Sequence, residues 1–145
     1  MTQYNSLSFD EKIDFFENIA FDENPYLWDM ANDVDEDIRL YLAVKLVNYE
    51  DTKSEQLLLH LISDRSDIVR ANACDSIYWS KSTEVLDLLL MRAKDDIYLV
   101  RGYAILSIAD ILLSLNDKSY IRDLNELYSK EKSLWTRMCY YQSFY

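Results

Sequence analysis

The chain has 145 residues, 50% of them hydrophobic, and a formal net charge of −11 from 15 basic and 26 acidic residues. This length suits one domain, and the single glycine excludes phosphate-cradling loops, which need glycine where the backbone approaches the ligand. Binding to nucleic acid is driven by Lys and Arg, so the acidic balance argues against a duplex DNA or RNA partner. The composition predicts an acidic, nearly all-helical domain.

The first predicted helix covers residues 9–21 and acts as an N-terminal cap (8–21). Ser8 and Glu11 have the spacing of a capping box, in which each side chain bonds the backbone N–H of the other residue. The residues before this helix lack the basic and apolar segments of a signal peptide. Cys74 and Cys139 are too few to make a disulfide framework in a chain of this length. These features predict a cytoplasmic protein with reduced thiols.

The eight later helices are predicted as four pairs, because an acid-to-arginine spacing of six residues recurs along the chain. The spacing occurs at Asp33 and Arg39, Asp64 and Arg70, Asp95 and Arg101, and Glu131 and Arg137. The first three arginines are 31 residues apart, and the fourth follows after 36. Each acid lies where a second helix begins, and the helix dipole favours negative charge there. The predicted pairs are 25–32 with 35–49, 54–63 with 67–79, 82–93 with 97–115, and 119–129 with 132–144, in units of about 25–49, 53–79, 82–115 and 119–145.

Two further signals place the first helices of these pairs. Pro25 suits the first turn of a helix, where its missing N–H has no intrahelical partner. Thr52 and Glu55 have the spacing of a second capping box. Helix pairs that turn on Asp, Asn and Ser need few glycines, which explains the composition.

This pattern resembles the HEAT repeat, in the short bacterial form named after phycobilisome lyases, over about residues 25–145. In that family the second helix carries Asp, then Val-Arg, then small residues and Leu. The middle units fit with Asp64, Val69, Arg70, Ala73, Cys74 and Ile77, and with Asp95, Val100, Arg101, Ala104 and Ile108. The resemblance implies an all-α, right-handed solenoid of about four helix pairs plus the cap helix. It also implies an interaction scaffold rather than an enzyme, and a ladder of Asp and Arg between neighbouring units.

The ladder residues have a structural interpretation that is independent of the resemblance. Helical spacing puts each arginine on the buried side of its helix, where a guanidinium needs a carboxylate or carbonyl partner. Because the pair recurs in every unit, a structural role is favoured over catalysis, and no catalytic residue is predicted. The ladder set is Asp33, Arg39, Asp64, Arg70, Asp95, Arg101, Glu131 and Arg137.

The opposite face of the second helices carries aromatic and acidic side chains where a surface helix should be polar. The candidate partner-binding residues there are Asp37, Tyr41, Asn72, Asp75, Trp79, Leu99, Tyr103, Asp110 and Trp135. Second helices usually line the concave side of stacked pairs. Aromatics in such a groove anchor a protein partner, and acids beside them select a basic one. The alternative is that these aromatics only pack between adjacent second helices.

The sequence therefore predicts a non-catalytic module that binds a basic protein through an acidic, aromatic concave face. A concrete version is a bacterial immunity protein or antitoxin, whose acidity speeds capture of a toxin that binds nucleic acid. Two alternatives remain open. A HEAT-like DNA glycosylase would need a basic concave surface, and a lyase-like protein would hold a tetrapyrrole against its aromatics.

Other binding chemistry is not expected. His60 is the only histidine and has no acid or cysteine at ligand spacing, so neither a metal site nor a cofactor is predicted. Arg101 and Asp110 interrupt the most apolar segment, which argues against a membrane span. The aromatic C-terminus (Tyr140, Tyr141, Phe144 and Tyr145) leaves open a homodimer or a longer repeat array, because a last unit normally has a polar outer face.

Overall fold

The computed structural model describes residues 3–144, and Met1, Thr2 and Tyr145 lie outside the described residues. Over residues 3–144 the chain forms nine α-helices in the predicted order, so the all-α class is confirmed. The helices are α1 (Phe9–Asn18), α2 (Leu27–Ala31), α3 (Glu36–Lys45), α4 (Thr52–Leu61), α5 (Asp67–Ser76), α6 (Thr83–Arg92), α7 (Tyr98–Leu115), α8 (Ile121–Lys130) and α9 (Leu134–Phe144). Short 3-10 helices cover Gln3–Ser6, Phe21–Glu23 and Leu46–Asn48.

The start of α1 follows the sequence prediction, whereas the start of α4 differs from it. Ser8 Oγ accepts the N–H of Glu11 at 3.3 Å, and the Glu11 carboxylate accepts the N–H of Ser8 at 2.7 Å. At α4 the capping residue is Asp51, whose carboxylate accepts the N–H of Ser54 at 2.8 Å. The predicted capping box of Thr52 and Glu55 is therefore wrong. Thr52 is already helical, and the preceding residue, Asp51, caps α4.

The first helix of unit one is shorter than predicted. It begins at Leu27 rather than Pro25, because the Asn24 side chain accepts the N–H of Tyr26 at 2.9 Å and holds the chain in a turn. The predicted helix over 35–49 divides into α3 and a 3-10 turn at Leu46–Asn48. Helical periodicity in the sequence does not distinguish the last α-helical turn from a 3-10 turn.

The helices form two layers. The second helices α3, α5, α7 and α9 make one layer in which each packs against the next, and α2, α4 and α6 pack on α3, α5 and α7. In the last pair, the rings of Tyr128 on α8 and Tyr140 on α9 have centroids 5.5 Å apart. The second helices pack more closely with one another than the first helices do. We call these four second helices the inner helices.

The apolar stripes of both layers meet in one continuous cluster of buried side chains, which extends from Tyr4 to Tyr140. Helix α7 is long and apolar enough to cross a membrane by length and composition alone. It packs against α5, α6 and α9, and eight of its 18 residues are buried. Its apolar character is therefore accounted for by its central position in the stack.

Candidate functional site

A ladder of arginine–carboxylate pairs joins the successive units. Nε and Nη2 of Arg39 donate to the two carboxylate oxygens of Asp64 at 2.8 and 3.0 Å. The same two-pronged contact joins Arg70 to Asp95 at 3.0 and 3.1 Å and Arg101 to Glu131 at 2.8 and 2.9 Å. Each arginine thus binds the acid of the following unit rather than the acid of its own unit.

Each ladder acid also orders the loop in which it lies. A carboxylate oxygen of Asp64 accepts the N–H of Ser66 at 2.8 Å, while Nη1 of Arg70 donates to the Asp64 carbonyl at 2.9 Å. Burial alone would raise the pKa of Asp64, but the hydrogen bonds from Arg39 and Ser66 outweigh it and hold that pKa below its usual range. The same balance lowers the pKa of Asp33, Asp95 and Glu131. These carboxylates stabilise the contacts between neighbouring units and, at Asp33, the contact with the cap segment.

The two ends of the ladder differ. Asp33, the first acid, is paired with the cap segment: Lys12 Nζ lies 2.7 Å from its carboxylate and the Tyr4 hydroxyl donates to it at 2.6 Å. At the other end, Arg137 is exposed, its guanidinium lies 5.1 Å from the centre of the Tyr128 ring, and Nη2 is 3.5 Å from the Tyr128 hydroxyl oxygen. Arg137 was predicted as a ladder residue, but no carboxylate within residues 3–144 pairs with it.

Eight of the nine candidate partner-binding residues lie on the second helices α3, α5, α7 and α9, on the side opposite the ladder arginines, and we call this side the inner face. Trp79 lies in the turn after α5, because the helix predicted over 67–79 ends at Ser76. Three of the nine are exposed: Asp37, Asp75 and Asp110. The other six are half-buried: Tyr41, Asn72, Trp79, Leu99, Tyr103 and Trp135. Some of these residues contact one another, and others contact side chains outside the set.

Tyr41 lies at the N-terminal end of the inner face and is held by the cap helix. Its hydroxyl donates to Glu17, and its ring meets that of Phe16 edge-on with centroids 5.5 Å apart. Lys45 Nζ lies 5.3 Å from the ring centre and 2.9 Å from the Glu17 carboxylate. The charge of Glu17 at this end of the face is therefore balanced by Lys45, whereas the exposed Asp37 forms no ion pair within residues 3–144.

Trp135 and Tyr103 pack against each other, which is the structural role that the sequence offered as an alternative. Their ring centroids are 5.2 Å apart at 64°. The indole also covers Gly102, where an added Cβ would lie 2.0 Å from Trp135 Cζ3. The single glycine of the chain thus permits close approach of α9 to α7.

The centre of the inner face holds an acidic pair beside a tryptophan. No cation within residues 3–144 forms an ion pair with Asp75 or Asp110. Partial desolvation and, secondly, the charge of Asp110 raise the pKa of Asp75, and partial desolvation raises that of Asp110. Trp79, four residues after Asp75 in the turn that follows α5, has a buried indole N–H with no acceptor in the described part of the chain.

Sequence reasoning missed a second series of contacts between the inner helices. The Ser76 hydroxyl on α5 donates to the Ala43 carbonyl on α3 at 2.8 Å, and the Ser107 hydroxyl on α7 donates to the Cys74 carbonyl on α5. Ser76 and Ser107 each follow a ladder arginine by six residues, so aligning the units by their arginines could have found them.

The remaining reactive side chains have structural surroundings. Cys74 and Cys139 are buried free thiols, and burial raises the pKa of both, which disfavours the nucleophilic thiolate. The His60 ring is exposed and meets Trp28 edge-on at 5.7 Å. Among residues 3–144 no group of His, Cys, Asp and Glu is arranged to hold a metal ion.

A comparison with known families identifies a repeat family. The family model for HEAT repeats matches residues 24–109, which is more than half of the chain. No curated protein and no solved structure matches the chain. The matched range includes the first two units and most of the third, with Arg39, Arg70 and Arg101.

Proposed function

Because the chain belongs to the HEAT-repeat family, whose repeats form protein-interaction scaffolds, we propose that it is a non-catalytic module that binds a basic protein on its inner face. The observation that carries this proposal is the acidic pair of Asp75 and Asp110. Both carboxylates are partly desolvated, and no cation in the described part of the chain pairs with them. A Lys or Arg of a partner would relieve their mutual repulsion.

The surroundings of the pair suit a protein partner. Trp79 lies four residues after Asp75, in the turn that follows α5, and offers a half-buried aromatic surface. Tyr103 and Trp135 form a second, rigid aromatic surface further along the face. Aromatic anchors beside charges that select the partner are typical of the energetic centre of a protein interface.

The contacts of the charged groups and the burial of the thiols support the proposal that the module is non-catalytic. The arginines and acids of the ladder satisfy one another in three successive rungs, and the two thiols are buried. The net charge of −11 would also accelerate the approach of a basic protein in the cytoplasm. These properties suit an immunity protein or antitoxin, which must capture a toxin rapidly.

The test is co-purification of tagged chain from cells of its native source, comparing wild type with the variant that combines Asp75→Lys and Trp79→Ala. We expect recovery of a partner with a basic isoelectric point. The inner-face variant should reduce that recovery by about tenfold, because it reverses a charge and removes an anchor at the interface centre. A matched control combines Asp87→Lys on α6 with Trp28→Ala on α2, which are both exposed.

Two results would contradict the proposal: an acidic partner, or equal loss of binding in both variants. The hypothesis of an immunity protein has a further requirement. The recovered protein should act on nucleic acid, and added chain should inhibit that action in proportion to the amount of complex formed. A basic partner without such an activity would retain the inner-face proposal and refute the immunity version.

A further inference from the structure

The inner helices α3, α5 and α7 lie parallel and in register. The rungs of the ladder join the N-terminal end of each helix to the loop before the next. Further along, Ser76 of α5 donates to the Ala43 carbonyl of α3, and Ser107 of α7 donates to the Cys74 carbonyl of α5. Residues at similar distances from the ladder arginine therefore lie beside one another in neighbouring helices.

Three exposed acids form a diagonal across this register, which we call the acidic diagonal. Asp37 lies two residues before the ladder arginine of α3, Asp75 five residues after that of α5, and Asp110 nine residues after that of α7. From the helical rise and the usual spacing of packed helices, successive acids are about 14 and about 11 Å apart. None of the three forms an ion pair within residues 3–144. Besides desolvation, the charge of Asp110 raises the pKa of Asp75, which agrees with their neighbouring positions.

Apolar side chains flank the acidic diagonal on both sides. On one side lie Val44 of α3, which is 45% exposed, and the half-buried Trp79 in the turn after α5. On the other side lie Ile68 of α5, which is 40% exposed, and the half-buried Leu99 and Leu106 of α7. The surface is thus an apolar band, three helices wide, that a line of acids divides.

We propose, on the basis of the function proposed above, that the basic partner docks an amphipathic α-helix along the acidic diagonal, across α3, α5 and α7. A line of Lys or Arg on that helix faces the three acids, and apolar side chains beside the line cover the flanking residues. An α-helix rises about 1.5 Å per residue, so the basic residues opposite Asp37 and Asp75 are about nine residues apart. Those opposite Asp75 and Asp110 are about seven residues apart.

The two apolar flanks favour a helix over an extended segment. In an extended strand successive side chains point to opposite faces, so only every second residue meets the surface, in a single line. A helix presents residues three and four positions apart side by side, which places apolar side chains on both sides of a basic line. An extended segment would also reach the same acids with basic residues only about four and about three positions apart.

The test uses the full chain with a photoreactive benzoylphenylalanine in place of Val44 or of Ile68, irradiated in cells of its native source. These positions lie on opposite sides of the acidic diagonal. We expect both variants to crosslink to the same basic protein, at sites that mass spectrometry places within about two turns of one helix. The control carries the same residue in place of Met91 on α6, which is 56% exposed, and should not give this product.

Charge exchange then measures the spacing of the basic residues. Asp37→Lys, Asp75→Lys and Asp110→Lys should each lower the crosslink yield from position 68 by about tenfold, whereas Asp87→Lys on α6 should leave it unchanged. For each of the three, changing one Lys or Arg of the partner to Glu should restore the yield. We expect the restoring positions to be about nine and about seven residues apart, in the order of the acids along the diagonal. The melting temperature of each variant shows that it folds.

The outcomes separate this proposal from the function on which it rests. A basic partner whose restoring positions are three or four residues apart, or that has none, would overturn the docked helix and leave a basic partner on the inner face. Crosslinks from positions 44 and 68 to separate segments of that partner would do the same. No crosslink from either position, or a crosslink to an acidic protein such as another copy of this chain, would contradict both proposals.

Discussion

At the scale of single residues, the one glycine of the chain shows how close two inner helices come. Gly102 lies in the second turn of α7, where glycine is unfavourable by about 1 kcal/mol relative to alanine. The indole of Trp135 occupies the space that a Cβ at position 102 would need, which explains why the residue is glycine. Tyr98 and Tyr103 hold the indole edge-on at 6.2 and 5.2 Å, so it has little room to shift.

Gly102→Ala is therefore expected to destabilise the protein despite its better helix propensity. The methyl group must displace Trp135, and overpacking of this kind costs about 1–3 kcal/mol. The measurement is urea-induced unfolding followed by circular dichroism.

A double-mutant cycle isolates the cause. In a Trp135→Leu background, Gly102→Ala should cost little or increase the free energy of unfolding by up to about 1 kcal/mol, because only helix propensity remains. An equal loss in both backgrounds would show that contact with the indole is not the reason for the glycine.

The same residue marks the limit of prediction from sequence. The ladder arginines and their acids were predictable because they recur at fixed spacing in every unit. The contact of Gly102 with Trp135 joins unit three to unit four and has no equivalent in the other units. Lys12 was missed as the partner of Asp33 because α1 does not align with the repeat.

At the scale of elements, helix ends account for most differences between prediction and structure. Periodicity identified nine helices, because it depends on the apolar stripe that each buries. It did not identify their last turns, where capping side chains and 3-10 geometry decide. Asn116 at the end of α7 is an example: its backbone is left-handed, with φ 50° and ψ 39°.

Asn116→Gly should stabilise the protein by up to about 1 kcal/mol, because glycine adopts left-handed backbone angles without a Cβ penalty. Asn116→Ala should cost about 1 kcal/mol for the same reason. Thermal unfolding would show these changes as shifts of about 2–4 °C per kcal/mol.

The control for this pair is Asn125→Gly, in the interior of α8. The identical substitution should destabilise there, since glycine is a poorer helix former than asparagine. If Asn116→Gly and Asn125→Gly both lowered the melting temperature, the left-handed cap would not explain Asn116.

At the scale of the whole molecule, the acids divide into two groups with opposite effects on stability. The ladder acids Asp33, Asp64, Asp95 and Glu131 have lowered pKa values. They stabilise the fold above the pKa values of the unfolded chain, near 3.8 for Asp and 4.5 for Glu, and this stabilisation is lost as the pH falls through the lowered values.

The inner-face acids act in the opposite direction. The pKa values of Asp75 and Asp110 are raised, so between those values and 3.8 the folded protein binds protons that the unfolded chain does not. Their effect is to increase stability as the pH falls from neutrality. This is the energetic cost of keeping two unpaired acids together on the inner face.

The two effects predict a maximum in the pH dependence of stability. As the pH falls from 7, the free energy of unfolding should first rise, partly because the overall negative charge decreases, and then fall steeply below about pH 4. The variant combining Asp75→Asn and Asp110→Asn should be more stable than wild type at pH 7. It should show a smaller rise and the same acid-side loss, in urea titrations at successive pH values.

The control is Asp87→Asn, which removes one exposed charge from α6 on the outer layer. It should shift the curve without removing the rise. If the inner-face variant gave a curve parallel to wild type, the acidic pair would carry no cost of desolvation and repulsion for a partner to relieve. A basic partner would then gain nothing from binding there, and the argument for the inner face would lose its electrostatic basis. If the rise becomes smaller only in the inner-face variant, the cost of desolvation and repulsion at the acidic pair has been measured.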